Sequence, residues 1–381
     1  MKVAFFQPYI AAWRLHFLER YISASKHEIV VYDGGFSPKI DEKSVSGNYS
    51  SLQTIRIRSL PISFRVRNQT YPVYFSPLLI LQLFRDRPDV IITEGEINFL
   101  NVFSVYLFCL LTGSRYIWWS LGKVRTRQKN IMNKLFDPLV NFLLYRAHAV
   151  VCRNSLALKY YVEGKSIPRE RVFLAPNSMD EQRALREVDT TSELLRKGNE
   201  GKKIILYVGA LTKEKRPRDA LLVLRSILSL NRKDVVLWYV GDGPLRQELE
   251  LDAKNEIESR TCQFFGKVFD GVGNYFNISD VVIVPGLGGL VINHAMIFGK
   301  PVISTMADGT EEDLIHNGKN GFIVPTGDIE SLTYSVLSVI DSKEYNKMCD
   351  YSRNLIETSW NMDFMINGIE KAIRYAAGSG R

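Results

Sequence analysis

Residues 284–304 read VPGLGGLVINHAMIFGKPVIS. An apolar run, a glycine-rich turn, a helix-length apolar stretch and a second apolar run follow one another, which is the order strand, turn, helix, strand. Glycines between a strand and a helix leave the first helical amides open to an anion, so the segment has the form of a phosphate cradle. It contains no acidic residue, and a histidine, His294, stands inside the helix.

The same alternation runs through the chain. Apolar runs VAFF (3–6), EIVVYD (28–33), DVIIT (89–93), YIWWS (116–120) and AVVCR (149–153) are separated by helical patterns such as AWRLHFLERYI. A second series comprises KIILYVG (203–209), VVLWYVG (235–241), CQFFG (262–266), DVVIVPG (280–286), PVIST (301–305) and GFIVP (321–325). Strands alternating with helices in this way form parallel sheets covered on both faces. The expected fold is α/β, with two doubly wound Rossmann-like domains facing across a cleft at the carboxyl ends of their strands. The polar stretch 180–202 lacks a strand pattern and is expected to link an N-terminal domain, 1–179, to a C-terminal domain, 203–358. Residues 359–381 begin SWNMDFMINGIEKAIRYAAG, with apolar positions at helical spacing.

The composition is that of globular material, with 46% apolar and 24% charged residues over 381 positions. Cys109, Cys152, Cys262 and Cys349 are scattered without CxxC or metal-ligand spacing, so neither a disulfide framework nor a zinc site is indicated and a reducing cytoplasm fits. The net charge of +8 is uneven: residues 1–180 hold 24 Lys and Arg against 13 Asp and Glu, leaving 25 against 28 for the rest. No nucleic-acid-binding motif accompanies the basic half, which leaves an anionic membrane surface or a phosphate-bearing substrate as its partner. The most apolar segment, 97–113, falls short of the roughly 20 residues a bilayer core requires and reads as a buried or half-buried helix. After it, Lys123, Arg125, Arg127, Lys129 and Lys134 lead into an apolar helix, 135–144. That pattern suits either peripheral contact with an anionic leaflet or a solvated loop before a core helix.

The first strand is followed by QPYIAAW rather than GxGxxG, and no Walker motif, GxSxG elbow, HExxH or DxD occurs. What remains is a diphosphate cradle of backbone amides, helix dipole and lysine. The turn Gly286-Leu287-Gly288-Gly289 precedes a helix starting near Leu290, and YVGALTKEKRP (207–217) places Lys215 and Arg216 shortly after a strand. Gly209, Gly241 and Gly266 close neighbouring strands.

These residues resemble, in order over roughly 150 positions, the large family of retaining GT-B glycosyltransferases that includes bacterial mannosyl-, glucosyl- and galactosyltransferases. YVGALTKEKRP is similar to the family's VGRLxxxKG stretch, LWYVGDGPLRQELE to its GDGP loop, FFGKV to its FxG strand end and VFLAPNSMD to its PNGVD segment. VPGLGGLVINHAMIFGKPVIST and DLIHNGKNGFIVPTGD complete the set. The N-terminal half resembles the family only in architecture and in the PNSMD segment. The family's two signature glutamates, eight positions apart, fall on Gly286 and His294, and its VGR arginine on Ala210. A neutral imidazole can exchange hydrogen bonds with a ribose, so His294 is expected either to replace the second glutamate or to face the domain interior. A replacement for the first is sought in Glu311, Glu312 or Asp313, or in Glu94 or Glu96.

The resemblance implies transfer of a sugar from a nucleotide diphosphate, UDP favoured, with retention and without an obligatory metal or other cofactor. The acceptor implied is a glycan or lipid-linked intermediate of bacterial surface polysaccharide, O-antigen or capsule, in the cytoplasm at the inner face of the membrane. Candidate donor-binding residues are Gly209, Lys215, Arg216, Gly241, Gly266, Val268, Gly286, Gly288, Gly289, Leu290, Val291 and His294. Glu94 and Lys215 are the catalytic candidates, and Trp119, Ser120, Arg153 and Asn177 are placed on the acceptor side, with Trp118 and Trp119 also readable as core. The C-terminal helix is expected to cross back to the first domain. The missing glutamates keep two alternatives open, a nucleotide-sugar epimerase or hydrolase of the same fold and a non-catalytic nucleotide-sugar-binding scaffold.

Overall fold

The computed structural model describes residues 1–35, 52–66, 69–122 and 131–378. The described chain divides into two units: residues 1–122, 131–176 and 363–378 form the first, and 177–362 the second.

The strands of the first unit are β1 (Lys2–Gln7), β2 (Glu28–Asp33), β3 (Thr54–Arg56), β4 (Leu60–Val66), β5 (Gln69–Phe75), β6 (Val90–Glu94), β7 (Arg115–Ser120), β8 (Ala149–Cys152) and β9 (Val172–Leu174). Seven of them form a parallel sheet in the order β3-β2-β1-β6-β7-β8-β9, while β4 and β5 pair as an antiparallel ribbon. The second unit contains β10 (Lys203–Val208), β11 (Val235–Val240), β12 (Cys262–Gly266), β13 (Val281–Val284), β14 (Val302–Thr305) and β15 (Gly321–Val324), ordered β12-β11-β10-β13-β14-β15, again parallel. The reason for parallel pairing is legible in the residues: β11 (VVLWYV), β13 (VVIV) and β8 (AVVC) are buried at every position, which requires helices on both faces.

One expectation needs correction. The stretch expected to be a linker is helical, over Glu181–Arg186 and Thr190–Lys197, and belongs to the second unit. Asp180 and Asp189 cap these helices by accepting from the amides of Arg183 and Thr191, so a polar sequence without strand pattern was signalling helix starts. The short strands β3 and β9 and the β4–β5 ribbon were also not anticipated. Pro61 and Pro72 sit in that ribbon, where a two-stranded arrangement leaves edges that tolerate a missing amide.

The helix Met362–Ala376 packs on the first unit from residue 363 onward. Gly368 permits its approach, because a Cβ there would lie 2.1 Å from the Leu174 carbonyl oxygen. Tyr21 Oη donates to Glu370 at 2.5 Å, and the rings of Phe173 and Tyr375 are 5.6 Å apart.

The apolar segment 97–113 forms a helix, Phe99–Thr112. Phe99, Val102, Val105 and Phe108 enter the core, while Phe103, Leu110 and Leu111 are exposed. Of the basic run that follows, Lys123, Arg125, Arg127 and Lys129 lie outside the described residues. In the helix Ile131–Arg146, Phe136, Leu139, Val140, Leu143 and Leu144 pack into the core, as a core-helix reading requires. Among the described residues no helix is long and apolar enough to cross a membrane.

Candidate functional site

In the second unit the strand-end glycines are first of all a packing device. A Cβ on Gly241 would lie 1.9 Å from the Gly209 carbonyl oxygen, and one on Gly243 would lie 2.7 Å from the Leu211 backbone. Gly209 donates its amide to Val240 and Gly241 donates to Gly266, so the ends of β10, β11 and β12 are drawn together backbone to backbone.

On that platform the turn Lys213–Lys215 brings the expected lysine to the glycine turn. Lys215 lies over Gly209, with its Cδ 3.3 Å from where a Cβ would be, and its Nζ donates to the Leu287 carbonyl at 2.9 Å. Leu287 returns its amide to the Glu214 carbonyl at 3.1 Å. Gly286 is fixed by the same contact, since a Cβ there would meet the Glu214 carbonyl oxygen at 2.4 Å. The space a glutamate would need at this position is therefore occupied by the backbone of residues 214–215.

Gly289, which caps the helix Leu290–Ile297 with φ 58° and ψ −130°, has nothing within 4 Å of a hypothetical Cβ. The helix has no side-chain cap and no acidic residue in its first turn, so its amide end and partial positive charge stand open beside Lys215. Leu290, Val291 and Leu287 are half-buried at this end; Val268 packs against the same core, and Gly288 is wedged against Val284 and Ile292.

Two expected donor contacts take other roles. Arg216 Nε donates to Asp219 Oδ2 at 2.7 Å, tying the guanidinium to the first turn of its own helix. His294 is 8% exposed, its ring centroid is 4.4 Å from Phe276 and 5.7 Å from Phe298, and its Nε2 is buried without a partner. Burial lowers its pKa to about 4. The interior reading therefore fits His294, and the ribose reading does not. Glu311 also does structural work: its carboxylate accepts from the amides of Ala307 (2.6 Å) and Gly309 (3.0 Å). Asn177, at the start of this unit, has a buried Oδ1 without a partner.

In the first unit the residues expected on the acceptor side gather at the carboxyl ends of β6, β7 and β8. Arg153 Nη2 donates to Glu94 Oε1 at 2.5 Å, and Arg14 Nη2 reaches the same oxygen at 3.3 Å. Burial raises the pKa of Glu94, but Arg153 and Arg14 outweigh it and hold the carboxyl below its ordinary value. Glu94, expected as a catalytic candidate, is thus placed as the counterion of two guanidinium groups. Trp119 is fully buried and does not line an open surface; Arg14 lies 4.0 Å and Arg153 5.4 Å from its ring. Ser120 Oγ lies 2.7 and 2.6 Å from the two oxygens of Glu96 and donates its one proton to that carboxylate, and Tyr161 Oη donates to it at 2.5 Å. Burial raises the pKa of Glu96 despite these donors.

Arg14 was missed as a functional residue, although it shares a helix face with Phe17, Leu18 and Tyr21, all of them buried. A cation on an apolar face was the available signal. Glu96 was named only as an alternative, and its partner Tyr161 lies 65 residues away with no local pattern to announce it.

Residues 193–355 match the family model described as glycosyl transferases group 1. The matched residues lie within the second unit, and the chain as a whole has the GT-B fold. An Anabaena protein, HepE, solved in complex with UDP, superposes with a TM-score of 0.75 over 98% of this chain and 99% of its own at 15% identity. An Escherichia coli UDP-Gal:α-D-GlcNAc-diphosphoundecaprenol α-1,3-galactosyltransferase is 27% identical over 163 residues, 42% of each chain, so less than half of that relative is matched. The Salmonella typhimurium lipopolysaccharide 1,2-N-acetylglucosaminetransferase is 22% identical over 271 residues, 66% of this chain and 69% of its own.

The buried imidazole makes stability depend on pH. Below its ordinary pKa of about 6.5, the unfolded chain takes up a proton that the native His294 refuses until about pH 4. Stability therefore falls as pH drops through this window, by up to ~3 kcal/mol. Denaturation in urea at pH 7 and 4.5 should show wild type losing that much more than His294→Phe. Equal losses in the two proteins would contradict the assignment.

Proposed function

We propose that the protein is a glycosyltransferase that moves a sugar from a nucleotide diphosphate, UDP favoured, to a glycan or lipid-linked acceptor in bacterial surface-polysaccharide synthesis, with retention of anomeric configuration. The observation that carries this reading is the Lys215 ammonium seated on the glycine turn beside the uncapped helix Leu290–Ile297. Departure of a nucleoside diphosphate concentrates negative charge on its phosphates, and a fixed cation with oriented amides stabilises that charge without a metal. Lys215 serves the leaving group, and Gly288, Gly289 and Leu290 supply the backbone that meets it. The UDP complex of the Anabaena structure and the UDP-galactose donor named for the Escherichia coli relative support the choice of nucleotide.

We further propose that the first unit rests on an anionic membrane surface. Its helices Leu79–Asp86, Phe99–Thr112 and Ile131–Arg146 expose Leu81, Phe84, Leu110, Leu111, Phe142 and Tyr145. These helices adjoin, with the rings of Phe84 and Phe108 at 5.1 Å and of Tyr106 and Phe142 at 5.4 Å. Arg85, Arg87, Arg115 and Arg146 are exposed on or just after them. Apolar side chains rimmed by arginine suit the interface of an anionic leaflet, each cation adding about 1 kcal/mol near the surface.

Two measurements test these readings. In a thermal-shift screen against UDP, GDP, dTDP and CMP and their sugars, UDP ligands should raise the melting temperature of wild type and fail to do so in Lys215→Ala. A UDP shift that survives in Lys215→Ala would remove the lysine from the site, and no shift with any nucleotide would remove the donor reading. In cosedimentation, the protein should follow phosphatidylglycerol-containing vesicles, but not purely phosphatidylcholine ones, and Leu110→Glu/Leu111→Glu should lower binding at least tenfold. Vesicle binding indifferent to lipid charge and to these changes would sink the membrane proposal.

A further inference from the structure

The first sheet reverses its strand order between β1, which leads to β2 and β3, and β6, which leads to β7, β8 and β9. Ligands of doubly wound sheets gather outside such a reversal, at the carboxyl ends of the strands. Here that place holds two guanidinium groups and one carboxylate. Arg14 stands in the first turn of the helix after β1, Arg153 directly follows β8, and both reach the same oxygen of Glu94, the last residue of β6. The side chain of Arg14 is only 2% exposed and that of Arg153 11%.

One carboxylate is shared by two guanidinium groups to which little water has access. Arg14 Nη1 and Arg153 Nε are each buried without a hydrogen-bond partner. The other nearby carboxylate, Glu96, accepts from Ser120 and Tyr161. The helix Ala12–Ala24 adds its amide end, with Ala11 unable to cap it and no acidic residue in the first turn. Trp119 and Trp13 press on the Arg14 guanidinium at 4.0 and 4.3 Å and fix its plane. Orphaned donors on buried cations are costly, and a fold retains them most readily where a further acceptor arrives. Burial, with the charge of Arg153, lowers the pKa of Arg14 to about 9, the direction for a cation whose charge is not fully compensated.

We propose that Arg14 and Arg153 form an anion site in the first unit that takes a phosphate or diphosphate group, with Glu94 as the counterion that holds both guanidinium groups in place. The planar guanidinium fork matches phosphate oxygens better than an ammonium does. Under the proposed function the group is the phosphate of the acceptor. That assignment rests on the transferase reading, while the anion site itself does not.

The test is isothermal titration of the full chain, first saturated with UDP, with inorganic pyrophosphate. Saturable binding is expected, weakened at least tenfold in Arg153→Gln and less in Arg153→Lys; Lys215→Ala, which is not expected to hold UDP, should still bind pyrophosphate in its absence. Removing the competing charge in Glu94→Gln should tighten it severalfold. UDP affinity should be the same in Arg153→Gln as in wild type, which also shows that this variant is folded. Absence of saturable pyrophosphate binding, or binding lost in Lys215→Ala but kept in Arg153→Gln, would overturn the site, the latter by assigning pyrophosphate to the donor turn. Should UDP itself not bind, the donor reading fails alone, and pyrophosphate titrated into Lys215→Ala still decides the arginine site by the same Arg153→Gln comparison.

Discussion

The candidate site of the second unit depends on a close approach between two stretches of backbone, residues 214–215 and Gly286. A Cβ on Gly286 would meet the Glu214 carbonyl oxygen at 2.4 Å, and the Leu287 amide donates to that same oxygen. Because no side chain intervenes, the turn Lys213–Lys215 can close on the glycine turn, and the Lys215 ammonium is delivered to the Leu287 carbonyl. A side chain at position 286 is thus excluded by packing, and the same contact puts a cation at the open helix end. The bare backbone at Gly286 and the fixed positive group at Lys215 are two sides of one close contact.

The first unit solves a different problem. Its sheet edge collects charges that are buried or half-buried, and it holds them with aromatic walls: Trp119 lies beneath both guanidinium groups of the Glu94 cluster, while Trp118 donates to Tyr161, which in turn serves Glu96. Gly95 separates the two glutamates because the Trp118 ring would lie 2.0 Å from any Cβ at that position. Glu96 adopts φ 34°, an uncommon value for a residue with a side chain, and is kept there by its three hydroxyl contacts. Strain held by such contacts is a feature of binding sites rather than of plain cores.

Much of the fold was legible in the sequence. Strands buried on both faces announce themselves as apolar runs, and all eleven such runs quoted from the sequence are strands. What escaped were elements whose identity comes from partners: β3, β9, the ribbon β4–β5 and the capped helices of 180–202. The site divided in the same way. Lys215 and the glycine turn were readable because they are close to strand ends, and the structure joins them. Arg216 and His294 were assigned by position in a motif, but a side chain's direction is set by its neighbours: Asp219 claims the one, and Phe276 and Phe298 enclose the other. The Arg14–Glu94–Arg153 cluster spans 139 positions of chain, and no local spacing predicts which of many cations will share a carboxylate.

The central claim is the proposed sugar transfer with Lys215 serving the departing diphosphate. Its most direct test is mass spectrometry of a bacterial lipid-linked saccharide extract incubated with the protein and UDP-hexose labelled uniformly with carbon-13. The account predicts a lipid-linked product heavier by one labelled hexose, formed by wild type and not by Lys215→Ala. UDP-hexose that is bound but returned intact, or released only as free labelled sugar, would contradict it and leave a scaffold or a hydrolase in its place.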